Sequence, residues 1–154
     1  MTRTLFPLLL IFALSASVSA QTSSAKVGTD GIILKRTNQW VDTWNQRDVK
    51  RMRALHAEDI ESQFYAIGGN FSTVEKLLKD IESTNFFGLK WAIKIADPHI
   101  RTLSSNSALI VFRLIGKETN SKGATRDFSE CFTLVFQRIR QDWKIVHVHD
   151  SSRL

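Results

Sequence analysis

Apolar residues recur at three- and four-residue steps from Ile33 through Thr37, Trp40, Val41 and Trp44, which predicts a helix with an aromatic stripe beginning near Asp30. Such a stripe needs a covering surface, and a sheet is the expected one. After Asn45-Gln46-Arg47, Asp48 is placed to cap a second short helix whose Val49, Met52 and Leu55 share one face. Residues 60–67 alternate as a strand and stop at Gly68-Gly69, a turn signal. Ser72 and Glu75 then form a capping-box pair around Val74, and Leu77, Leu78 and Ile81 continue the spacing of a third helix.

Beyond Phe86 the period drops to two. Strands are predicted over residues 89–96, 108–117, 126–140 and 143–150, separated by Pro98, Asn106, Lys122-Gly123 and Gln141-Asp142. The order of helix, helix, strand, helix and four strands predicts an α+β fold, with the helices on one face of a curved, mostly antiparallel sheet. On the longest strand, Phe128, Glu130, Phe132, Leu134 and Phe136 share one face, against Ser129, Cys131, Thr133 and Val135 on the other. Unbroken alternation on the last strand sends Val146, Val148 and Asp150 one way and Trp143, Ile145, His147 and His149 the other. Leu109 and Val111 oppose Ile110, Phe112 and Leu114, so both sheet faces want cover.

With 154 residues, 43% of them hydrophobic, one domain with one core is the expectation. The first twenty residues stand apart from it. Arg3, the apolar run over 5–14 and Val18-Ser19-Ala20 ahead of Gln21 read as a secretory signal peptide. A Ser/Thr/Gly-rich leader over 21–29 follows, then the domain over 30–154. The expected location is therefore periplasmic or secreted. A bilayer-spanning helix needs about 20 apolar residues, twice this run, so stable membrane insertion is not expected.

The chain carries 21 basic and 15 acidic residues, and the basic ones are scattered apart from Lys50, Arg51 and Arg53. That pattern is a solvated surface and gives no support to nucleic-acid binding. Cys131 is the single cysteine, so no intrachain disulfide forms and the fold stands on its core.

Asp97-Pro98-His99-Ile100, Asn106-Ser107-Ala108, Gly123 with Arg126, and the run Trp143-Lys144-Ile145-Val146-His147-Val148-His149-Asp150-Ser151 carry a family resemblance. Over residues 95–151, and more loosely over 30–90, the chain resembles the association (hub) domain of calcium/calmodulin-dependent protein kinase II. That domain belongs to the nuclear-transport-factor-2-like (SnoaL-like, DUF4440-like) superfamily. The resemblance implies a cone-like roll, with three helices across a strongly bent sheet enclosing a pocket, and assembly through the outer sheet face into dimers or rings. It does not imply kinase regulation, because fold does not fix activity. On the overlay, Leu114, Leu134 and Asp150 stand where the hub domain has pocket arginines. A mostly apolar pocket with one acid follows, suited to a neutral or cationic small molecule.

Trp40, Trp44, Leu114, Phe128, Phe132, Leu134 and Phe136 are the expected ligand-lining residues, though Trp40 and Trp44 serve a core equally well. Glu130 lies among aromatic rings and either works as a tuned acid or pairs with Arg126 or Arg113. Asp150 or Glu130 as acid/base with Tyr65 as oxyanion donor would make a cofactor-independent isomerase, cyclase or dehydratase. A non-enzymatic binding module is the favoured reading, since no tight catalytic constellation is visible. His147 and His149 stand two apart on a strand, but without a third ligand nearby and with the resemblance placing them on the assembly face, no metal and no cofactor are expected.

Overall fold

The computed structural model describes residues 28–58, 63–66, 70–82 and 88–151. The expected export segment, most of the leader and the Gly68-Gly69 turn lie outside the described residues. Helix α1 spans Thr29–Gln46, and its buried Ile33, Thr37, Trp40 and Val41 are the predicted stripe. The buried hydroxyls are satisfied within the helix: Thr37 Oγ1 donates to the Ile33 carbonyl at 2.9 Å and Thr43 Oγ1 to the Trp40 carbonyl at 2.6 Å. Arg47, with φ 55°, ends α1 in the left-handed conformation. Asp48 then caps α2 (Val49–Leu55) as expected, its Oδ1 accepting the Arg51 N–H at 2.9 Å.

The next segment differs from the expectation. Strand β1 (Gln63–Ala66) pairs antiparallel with a strand the sequence had not shown, β2 (Asn70–Thr73), before α3 (Val74–Glu82) begins. Ser72 is therefore a strand residue, and Thr73 takes the cap, its Oγ1 accepting the Lys76 N–H at 3.2 Å. Pairing with β1 occupies the backbone through Thr73, so the helix can open only after it.

Four long strands complete the sheet: β3 (Lys90–Thr102), β4 (Ser107–Thr119), β5 (Thr125–Ile139) and β6 (Asp142–Ser151). The strand order is β2-β1-β6-β5-β4-β3, with β1 parallel to β6 and every other pair antiparallel. Strand β3 runs on through Pro98, where a break was expected. It does so by a bulge between Ala96 and His99, with Asp97 at φ 49°. An edge strand tolerates proline because its outward N–H has no ladder partner to lose.

Helix α1 lies on the inner face of this curled sheet, mainly over β3. Trp40 meets Phe112 and Phe132 edge-on, with centroids 6.5 and 5.7 Å away, and an Arg36–Asp142 ion pair ties the helix to the start of β6. These rings join Ile33, Val41, Ile110, Leu134 and Val148 in one core.

Strand β6 corrects the expected faces. A bulge leaves Val146 unpaired, because Phe136 stands opposite Ile145 while Val135 stands opposite His147. One extra residue inverts the alternation. Trp143 and Ile145 thus share the inner face with Val148 and are 3% and 0% exposed, whereas His147 and His149 face outward beside Val135 and Thr133. The outer face consequently lacks the two large apolar residues that the unbroken pattern had assigned to it.

His56, just after α2, bridges Ile145 from the other side and is 4% exposed. Burial disfavours its charged form and pushes its pKa from 6.5 down to about 4. Above pH 6.5 the ring is neutral in both the folded and the unfolded chain, and its contribution is whole. Between pH 6.5 and 4 only the unfolded chain takes up the proton, so stability falls by about 1.4 kcal/mol per pH unit, roughly 3 kcal/mol in all. Urea unfolding from pH 7.5 to 4.5 should show this slope in the wild type and a flatter one in His56→Leu. Parallel slopes would exonerate His56.

Candidate functional site

Registered neighbours share a sheet face, so the inner face can be read in rows across the strands. At one end stand Trp91, Glu118 and Arg126, side by side on β3, β4 and β5. Below them come Ile93, Gly116 and Phe128, then Ile95, Leu114 and Glu130. The row of Phe112, Phe132 and Asp150 follows. The last rows are Ile100, Ile110, Leu134 and Val148, then Thr102, Ala108, Phe136 and Ile145, buried on β4, β5 and β6 but not at β3, where Ile100 is half-buried and Thr102 exposed.

Burial grades along these rows. Leu134 and Phe136, both expected to touch ligand, are 0% and 1% exposed and seal the deep end with Ile110 and Val148. Trp40, Leu114 and Phe132 are also buried, in contact with the same core. Trp44, Phe128, Glu130 and Asp150 remain half-buried, so they mark the open end of the inner face. There Trp44 packs edge-on against both Trp40 and Trp91, with centroids 5.6 and 5.7 Å apart.

The first row holds a network that sequence reasoning missed. Glu118 accepts from Arg126 Nε at 2.8 Å and from Trp91 Nε1 at 3.2 Å, with its side chain 11% exposed. The Arg126 hydrogen bond, more than that of Trp91, holds the Glu118 carboxyl below its usual range despite burial. Alternation along β4 from Leu114 would have put Glu118 on the inner face, but only the register shows which strands bring it partners.

Of the two partners expected for Glu130, Arg126 is shared with Glu118. Arg126 bonds Glu118 through Nε, with the Glu130 charge acting on it as a further favourable influence. Arg113 lies on the outer face, where its Nε donates to Asp97 at 3.0 Å. Glu130 and Asp150 occupy adjacent rows on adjacent strands, a diagonal relation that sets Cβ atoms about 7 Å apart. Two carboxylates at that spacing beside Phe128 and Phe132 can hold a cationic group or move a proton. Tyr65 is paired with His149 by backbone register, and its side chain lies outside the described residues.

Among the described residues no three His, Cys, Asp or Glu side chains converge on a common point, and no helix is long and apolar enough to cross a membrane.

The family model for the SnoaL-like domain matches residues 33–154. No curated protein matches the chain. Among solved structures, an NTF2-like protein from Cytophaga hutchinsonii is similar with a TM-score of 0.70 at 15% identity, covering 82% of this chain and 99% of that one. A ketosteroid isomerase-like protein from Erwinia carotovora atroseptica gives a TM-score of 0.70 at 13% identity, over 80% and 95%. The association domain of C. elegans CaMKII gives 0.65 at 15% identity, over 78% and 92%. At such identities the likeness is one of fold.

Proposed function

The chain belongs to the SnoaL-like domain family, and from that premise we propose that it is an exported, oligomerising module that binds a small, mostly apolar molecule at the open end of its inner sheet face. The observation that carries this reading is the burial gradient, in which sealed aliphatic rows give way to half-buried Trp44, Phe128, Glu130 and Asp150. Aromatic walls with a few placed acids are the composition of a small-molecule site. Carboxylates there repel an anionic ligand and favour a neutral or cationic one. The pattern of residues 1–20 supports export. The association-domain likeness, together with the apolar outer-face residues Leu109, Val111 and Val135, supports self-association through that face.

The test is a thermal-shift panel of neutral, cationic and anionic ring-sized compounds on the wild type and Asp150→Asn. A binder raises the melting temperature with its occupancy, so cationic and neutral compounds should stabilise the wild type and cationic ones should lose most of their shift in the variant. Small carboxylates stabilising best, with no effect of Asp150→Asn, would overturn the reading. The diagonal pair of Glu130 and Asp150 favours a second reading, a cofactor-independent isomerase, cyclase or dehydratase. Turnover lost in both Asp150→Asn and Tyr65→Phe would put that reading first.

A further inference from the structure

The outer face of β6 holds an arrangement that the pocket does not use. His147 and His149 lie two residues apart beyond the Val146 bulge, both outward and both half-buried. Their Cα atoms are therefore about 6.7 Å apart, with the two rings projecting from the same side of one strand. We propose that His147 and His149 form a two-point chelate for a divalent transition-metal ion such as Zn²⁺ or Cu²⁺, the remaining positions being filled by water or by the same pair from a second copy of the chain.

Three observations carry this beyond the motif. First, the bulge fixes the geometry: unlike Trp143 and Ile145, the two histidines face away from the core, and the residues registered beside them on β5 and β4, Val135, Thr133, Leu109 and Val111, are uncharged, the cation of the His147 row, Arg101, standing three strands away on β3. Second, both side chains are half-buried, so each imidazole has lost part of its rotamer freedom before an ion binds. Third, Ser151 Oγ lies 3.5 Å from His149 Nε2, the outer limit of a hydrogen bond, where it can help set the ring's orientation. Imidazole pairs suit zinc, copper and nickel rather than magnesium or calcium, which take oxygen ligands.

The experiment is calorimetric titration of the full secreted chain with zinc chloride and with copper chloride at pH 7.5, alongside calcium chloride. Saturable zinc and copper binding is expected at one ion per chain, or one per two chains if a second copy completes the site, with no calcium binding. His147→Ala and His149→Ala should each weaken it at least tenfold, whereas His99→Ala, on β3, should leave it unchanged. His147→Gln and His149→Gln keep the side chains polar and of similar size, so their circular dichroism separates lost ligation from lost fold. Absence of saturable binding, or binding that persists in the His147→Gln/His149→Gln double variant, overturns the proposal. The pocket reading stands or falls independently, because its panel contains no metal.

Discussion

Ile145→Asp is expected to abolish folding, while Val111→Asp, two strands away, leaves the domain intact. Ile145 is 0% exposed and wedged between Phe136 on β5 and the His56 bridge, with the Ala57 N–H donating to its carbonyl at 3.0 Å. A carboxylate there loses its hydration without a cation in the registered positions beside it, and the apolar contacts of the isoleucine go with it. The combined cost is about 5 kcal/mol or more, comparable to the whole stability of a small domain. Val111 is 40% exposed on the outer face, so the same charge costs about 1 kcal/mol there. Urea unfolding followed by circular dichroism compares the two. The folded Val111→Asp chain then enters sedimentation analysis, where the proposed outer-face assembly should come apart. A folded, merely dissociated Ile145→Asp would restore unbroken alternation on β6 and place Ile145 outside.

Gly116→Ala should be nearly as damaging, although the change adds one methyl group. Gly116 sits in mid-β4 opposite Ile93 with φ 154°, and a Cβ built there meets the Ala92 carbonyl oxygen at 2.1 Å and Ile93 Cα at 2.8 Å. Both contacts are backbone, so no side chain can swing aside. Relief requires β3 to move from β4, and Ile93 is also clamped to α1, its N–H donating to Asn45 Oδ1 at 2.9 Å and its carbonyl accepting from Asn45 Nδ2 at 2.8 Å. A loss of about 4 kcal/mol is expected, the upper range for one substitution. Gly123→Ala is the control. Its φ of 81° carries strain too, but nothing stands within 4 Å of the added carbon, so it should cost about 1 kcal/mol. Equal unfolding midpoints for the two variants would mean the close approach at Ala92 is not rigid.

Much of the inner face was legible before any register was known. Phe128, Glu130, Phe132, Leu134 and Phe136 share a face in the sequence and in the sheet, because β5 runs without a bulge on that stretch of its own chain. The roles of those residues were less legible. Leu134 and Phe136 seal the core, while Phe128 and Glu130 stay half-buried, a division set by where α1 crosses the sheet. Glu118 went unnoticed because its partners come from two other strands: Trp91 lies 27 residues away and Arg126 lies 8, across a hairpin.

By itself the sequence determined the three helices, the four long strands and the α+β class, and its C-terminal signature pointed to the SnoaL-like fold. These follow from local periods of 3.6 and 2, which each segment carries whatever its neighbours do. Only the tertiary structure decided that β2 precedes α3, that Val146 bulges and turns Ile145 inward, and that Arg126 serves Glu118. A bulge is a mismatch between two strands, and a part-buried ion pair is a meeting of residues from different strands. Neither is a property of one segment, so both are settled only when the strands pair and α1 closes over them.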